Sequence, residues 1–200
     1  MKNLGYRLPK RKDGIKTFDR ILKTAKELFA KNGFSTTSIN EIIEKSNIAT
    51  GTFYLYFDDK LSLYKYLLGL YRIEIGSAIR EGTKHASNRY EMEKLGIRAF
   101  LKFAWDDRLS YKIIWESLFI DYEIFKDYYS DFSQNYIKQL KKSREKGELI
   151  DDIDLETLSY ILMGIANFVG LQVLFLDELS EEKLDFIVDN IMKVLSTGIF

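Results

Sequence analysis

Apolar residues return every third or fourth position along most of the chain, and the alternation that marks half-buried strands is scarce. Phe18, Ile21, Leu22, Ala25, Leu28 and Phe29 share one side of a helical wheel. They predict a first helix from about Thr17 to Asn32, with Gly33 as its left-handed cap. Ser38 and Glu41 have capping-box spacing ahead of Ile39, Ile42 and Ile43, so a short second helix is expected over 39–45. Ser46, Asn47 and Ile48 then make a turn, and a third short helix runs from Ala49 or Thr50 to Tyr56. Longer helices are expected over about 60–80, 88–105, 109–119, 123–146 and 155–176, the last behind Asp154 as N-cap. A final one runs from Ser180 to the C-terminus. The predicted fold is all-α, with about nine helices.

Two short helices joined by a turn of about three residues form the helix-turn-helix unit, whose second helix enters the DNA major groove. Phe53 and Phe57, four apart, share the inward face, and Phe34 reads as core with them. Thr50, Thr52, Tyr54 and Tyr56 are left to look outward. Hydroxyls near the start of such a helix suit base edges, phenols can donate to phosphate oxygens, and Gly51 lets the backbone approach the duplex.

The overall charge is zero, but its distribution is uneven. Residues 1–68 hold 13 Lys+Arg against 7 Asp+Glu, and the other 132 hold 17 against 23. A basic module carried on an acidic one fits this asymmetry. The chain has no cysteine and one histidine, His85, which removes disulfides, thiolate chemistry and multi-histidine metal sites. No metal and no cofactor are expected. The first residues are basic but lack the apolar core of a signal peptide, and there is no uninterrupted run of about 18 uncharged apolar residues. A cytoplasmic protein without membrane contact is the expectation.

The stretch ILKTAKELFAKNGFSTTSINEIIEKSNIATGTFYLYFDDKLSLY, residues 21–64, resembles the TetR family of bacterial transcriptional regulators. The resemblance lies in the first-helix pattern, the NGF turn, TTS before the second helix, TGTFY, YF and the lysine at position 60. It implies an N-terminal three-helix DNA-binding domain over 16–60, after a basic tail over 1–15. A larger C-terminal domain over 61–200 is implied for ligand binding and dimerisation. It further implies a homodimer that binds a double-stranded DNA operator and answers to a small-molecule effector. Ser38, Thr50, Gly51, Thr52, Tyr54, Tyr56 and Lys60 match positions where family members touch DNA, with Thr37 a lesser candidate. Thr50 and Thr52 fall where side chains reach base edges; Ser38, Tyr54, Tyr56 and Lys60 are placed to hold phosphates. The chain departs from the family pattern at Ala49, Tyr56 and Leu55. Leu55 either meets a thymine methyl or packs internally. The basic tail, with Lys2, Arg7, Lys10, Arg11 and Lys12, is either an arm into the minor groove or a disordered solvated segment.

Aromatic residues are dense from Trp105 to Tyr136, which suits a ligand cavity between helices. Trp105, Trp115, Phe119, Tyr122 and Phe168 are the candidate effector-binding residues. The last two helices carry apolar stripes that suggest a dimer interface: Leu158, Ile161, Leu162, Ile165, Val169 and Val173, then Leu184, Ile187, Val188, Ile191 and Leu195. In the family these helices pair with their mates as a four-helix bundle. An enzyme is not expected, because the sequence holds no Ser/His/Asp arrangement, no GxxxxGK[ST] loop and no Glu-x-x-His pair.

Overall fold

The computed structural model describes residues 5–150 and 152–197, and among them the regular elements are nine helices. They are α1 (Lys12–Asn32), α2 (Ile39–Ser46), α3 (Thr50–Tyr56), α4 (Lys60–Thr83), α5 (Arg89–Asp106), α6 (Arg108–Ile120), α7 (Tyr122–Glu145), α8 (Leu155–Leu174) and α9 (Glu181–Thr197). Side-chain acceptors start most of them. Ser38 accepts from the Glu41 N–H at 3.1 Å, Asp59 from Ser62 at 2.6 Å, Asn88 from Glu91 at 2.9 Å and Asp154 from Thr157 at 2.7 Å. Each satisfies one of the amide donors that a helix leaves unpaired at its start.

α1 begins at Lys12 rather than Thr17. Its added first turn is largely exposed, so no apolar period announces it. Gly33 closes the helix through its N–H to the Phe29 carbonyl, but at φ 86° and ψ 159° it leaves the chain extended rather than left-handed helical. The left-handed residue of this region is Asn47, at φ 52° and ψ 57°, which caps α2 and sets the turn into α3. Ahead of α1, Tyr6 forms an isolated antiparallel bridge with Phe57.

The chain divides into two compact units. The first comprises Met1–Arg72 and Leu109–Tyr128, so the start of α4 and most of α6 join the helix-turn-helix instead of being cut off after residue 60. Its core is Phe18, Ile21, Ala25, Phe29, Ile42, Phe53, Phe57, Leu63, Tyr64 and Leu67. α6 is held there by polar contacts as well as packing. The buried Tyr64 hydroxyl donates to the Ile113 carbonyl at 2.5 Å, Lys112 donates to the Ala30 carbonyl at the end of α1, and the Phe34 N–H donates to Glu116 at 2.7 Å. Burial pushes the Tyr64 phenol well above its ordinary range.

The second unit comprises Ile73–Arg108 and Tyr129–Phe200, in which α5 packs against α8 and α9. Ile97, Leu101, Val173, Leu184, Ile187, Val188, Ile191 and Met192 form its main core, with Ile165, Val169 and Leu195 packed against it. Leu140, Leu155 and Leu162 form a second cluster, with Leu158 against them. Most of the expected interface stripe therefore faces its own domain. The apolar residues pointing outward are Ile161, from that stripe, and others outside it: Phe168 and Phe175 at α8, and Phe186 and Val194 on α9. α8 is apolar on nearly all sides, so periodicity does not separate its inner from its outer face. By length and composition α8 is also apolar enough to cross a membrane, although polar residues such as Ser159, Asn167 and Gln172 interrupt its apolar run.

One buried charge pair stands in this unit. Arg89 and Glu93, both buried, form an ion pair, and the Tyr136 hydroxyl donates to the same carboxylate. Burial, reinforced by Glu93, raises the Tyr136 phenol well above its usual value.

Candidate nucleic-acid interface

α3 presents its side chains with helical period, not with the period of two that an outward set of Thr50, Thr52, Tyr54 and Tyr56 would need. Phe53 and Phe57 are fully buried, and Phe57 stacks on Phe18 at 5.2 Å between centroids. The exposed residues are Thr50, Gly51, Tyr54 at 48% and Leu55 at 65%. Leu55 thus does not pack internally. A side-chain carbon built at Gly51 would meet nothing within 4 Å, so this chain's own packing does not require a glycine there. Ala49 precedes the helix without a side-chain cap bond.

Thr52 and Tyr56 are half-buried. The Tyr56 ring stands edge-on to Phe18 at 5.3 Å, and its hydroxyl lies 3.4 Å from the Gly14 carbonyl. Ser38 is exposed, and its oxygen accepts from the Glu41 amide, which leaves the hydroxyl proton able to donate outward. The reciprocal half of the capping box is absent, since Glu41 pairs with Lys45 at 2.9 Å. Thr37 is fully buried and donates to the Gly33 carbonyl at 2.8 Å, so its hydroxyl is spent inside the fold.

Lys60 is the largest departure from expectation. Its ammonium donates to the Phe34 and Thr37 carbonyls, each at 2.6 Å, and lies 4.4 Å from the centre of the Phe34 ring. A lysine has three donors, so two are fixed by the loop between α1 and α2. Burial draws its pKa below the usual lysine range, with the Glu116 carboxylate opposing. Lys112 and Glu116, which tie α6 to the end of α1 and to Phe34, have no signal in the sequence. Their spacing on α6 is ordinary for a solvated face.

The expected effector residues divide between the two units, Trp115, Phe119 and Tyr122 in the first and Trp105 and Phe168 in the second. Trp105 and Trp115 are half-buried. The Arg108 guanidinium covers Trp105 at 3.8 Å, and Trp115 meets the buried Tyr111 edge-on at 6.4 Å. Burial pushes the Tyr111 phenol up to about 12. Phe119, Tyr122 and Phe168 are exposed, at 87%, 63% and 68%. Phe119 lies two residues, or about 200° of helix, from buried Ser117, and Phe168 stands in the same relation to buried Gly170.

A sequence model described as bacterial regulatory proteins of the tetR family matches residues 21–67. The transcriptional repressor BepR of Brucella suis is 23% identical over 163 residues, covering 76% of this chain and 78% of its own. Among solved structures, a TetR-family transcriptional regulator from Syntrophomonas wolfei superposes with a TM-score of 0.79 at 23% identity, over 92% of this chain and 97% of that one. The regulator FadR from Bacillus subtilis, solved in complex with stearoyl-CoA, gives a TM-score of 0.73 at 19% identity, over 92% and 100%. With the helix-turn-helix in place at the matched residues, the chain carries the DNA-binding domain of the tetR family of bacterial regulatory proteins.

Proposed function

We propose that the protein is a cytoplasmic repressor that binds a palindromic DNA operator as a homodimer and is released by a small, largely apolar effector. The observation that carries this reading is the outer surface of α3. Thr50, Gly51, Tyr54 and Leu55 face solvent, and nothing in the chain itself calls for the small residue at Gly51. A recognition helix needs room for a duplex there. Thr50 and Leu55 read base edges, Leu55 by contact with a thymine methyl. Ser38 and Tyr54 hold phosphates. Thr52 and Tyr56 reach the duplex only by their edges, while Thr37 and Lys60 act behind them by fixing the loop that carries Ser38.

Dimerisation is assigned to the outward residues Ile161, Phe168, Phe175, Phe186 and Val194, an apolar surface exposed among the described residues. Two-fold symmetry then requires inverted half-sites whose centres lie about one helical turn or a small multiple apart. Phe168 belongs to this surface rather than to the effector site. Trp115 in the first unit and Trp105 in the second each remain a candidate effector contact. The stearoyl-CoA bound by the Bacillus subtilis relative supports an apolar chain as one class to screen, beside aromatic compounds.

Selection of bound duplexes from a random pool tests the reading. Enrichment of an inverted repeat is expected, with affinity that falls as salt rises. Recovery of no sequence, or of an asymmetric one, would overturn it. Acyl and aromatic compounds that raise thermal stability should lower operator affinity by about 5- to 150-fold, and operator should lower theirs equally.

A further inference from the structure

The segment before α1 is an ordered arm. The Arg7 N–H donates to the Tyr56 carbonyl at 2.8 Å, and the Asp58 N–H donates to the Gly5 carbonyl at 2.9 Å, closing a short antiparallel bridge on the end of α3. Tyr6 sets its ring edge-on to Tyr66 at 4.9 Å, and Arg7 pairs with Asp58 at 2.8 Å. Gly5 adopts φ 70°, and a side-chain carbon there would press into Ser62, whose own Cβ would stand 3.0 Å away. A second anchor follows. A side chain at Gly14 would lie 3.2 Å from Pro9 and 3.0 Å from the Tyr56 hydroxyl, so Pro9, the start of α1 and the last residue of α3 meet closely.

Between these anchors run Lys10, Arg11 and Lys12, all exposed, with exposed Lys16 one turn further on. Asp13 is the one acid between Arg7 and Lys16. The backbone bonds that fix residues 5–7 prevent this stretch from trailing into a groove as an unanchored tail. They hold a row of positive charge beside the end of the helix assigned to the major groove. Lys2 lies outside the described residues.

We propose that Gly5–Lys12 is a docked phosphate clamp, in which Lys10, Arg11 and Lys12 grip the DNA backbone flanking the half-site read by α3. The inference rests on the DNA-binding reading above and adds a second contact surface to it. Such contacts strengthen binding to any sequence and set register without reading bases. The arm would also immobilise the end of α3 before DNA arrives.

The test uses the full chain on two probes, a duplex of random sequence and the duplex recovered by selection, titrated over a range of salt. Lys10→Ala/Arg11→Ala/Lys12→Ala should weaken both by similar factors. The plot of log affinity against log salt should become shallower by about two units or more, because a dimer loses phosphate contacts in pairs at about 0.9 of slope each. Gly5→Val keeps every charge but unseats the arm, and should weaken both duplexes several-fold with helix content unchanged by circular dichroism. An unchanged slope in the triple variant would overturn the clamp. So would a changed base preference at A·T-rich flanks, which belongs to minor-groove reading. Wild-type affinity in Gly5→Val would show that the charges act without docking, and would overturn it too. Failure of the wild-type chain to bind either duplex would instead sink the DNA-binding reading, and the clamp with it.

Discussion

The Lys60 ammonium donates to the Thr37 carbonyl at 2.6 Å, tying the first residue of α4 to the residue before the cap of α2. A lysine that by sequence position matches a phosphate contact is therefore occupied as a brace for the loop that presents Ser38. Replacing it with methionine keeps the stem and removes the donors. Lys60→Met should lower stability by about 1.5–3 kcal/mol in urea unfolding, the range for hydrogen bonds to charged groups. DNA affinity should fall with a salt slope changed by less than about one unit. A full unit of slope lost at unchanged stability would return Lys60 to the phosphate.

Asp59 caps α4 by accepting from both the N–H and the hydroxyl of Ser62, at 2.6 and 2.7 Å. These bonds hold its carboxyl below the ordinary 3.8. A depressed folded value means that the contribution is present above about pH 4 and is lost as pH falls through the folded value. Asp59→Ala should cost about 1 kcal/mol at neutral pH, as lost caps do. In thermal melts its deficit against wild type should narrow below pH 4.

The outer and inner faces of the last two helices make a paired prediction. Phe168→Asp, on the exposed side, should give folded monomers in light scattering and abolish tight operator binding. Val188→Asp, in the main core, should unfold the second unit, because an unpaired carboxylate cannot be sustained among Ile97, Leu101 and Leu184. A Phe168→Asp protein that remains dimeric would move the interface elsewhere.

Arg89 and Glu93 offer a test of buried charge. Removing one partner leaves the other uncompensated, so Glu93→Ala should cost about 3–5 kcal/mol. The double change Arg89→Met/Glu93→Leu should recover most of that loss in denaturant unfolding. If the single change is mild, water reaches the pair and it is not sealed.

Helix order was legible in the sequence because each element carries its own period and cap. Asp154 and the Ile39–Ile43 pattern are local signals that packing did not override. The first turn of α1 buries little and so carries no period, and in α3 four hydroxyl and phenol side chains at alternate positions look like one face in text. The exposed face of α8 was hidden for a different reason: an all-apolar helix gives no contrast, so Val173 and Phe168 read alike although one is core and the other is surface. The bonds of Lys60, Lys112 and Glu116 to backbone groups lie beyond any pattern of side chains. A carbonyl acceptor is present at every residue, and only the fold decides which one a lysine meets.

If the greasy flank of α8, where Ile161, Phe168 and Phe175 are exposed, is the dimer face proposed above, function becomes a question of abundance. A protomer without a mate keeps that flank in water and has only one reading head. Where chains are scarce the population of mated pairs follows the square of their number, so halving synthesis leaves about a quarter of the pairs. The gene's output would then set a threshold, below which operators empty even with no effector in the cell.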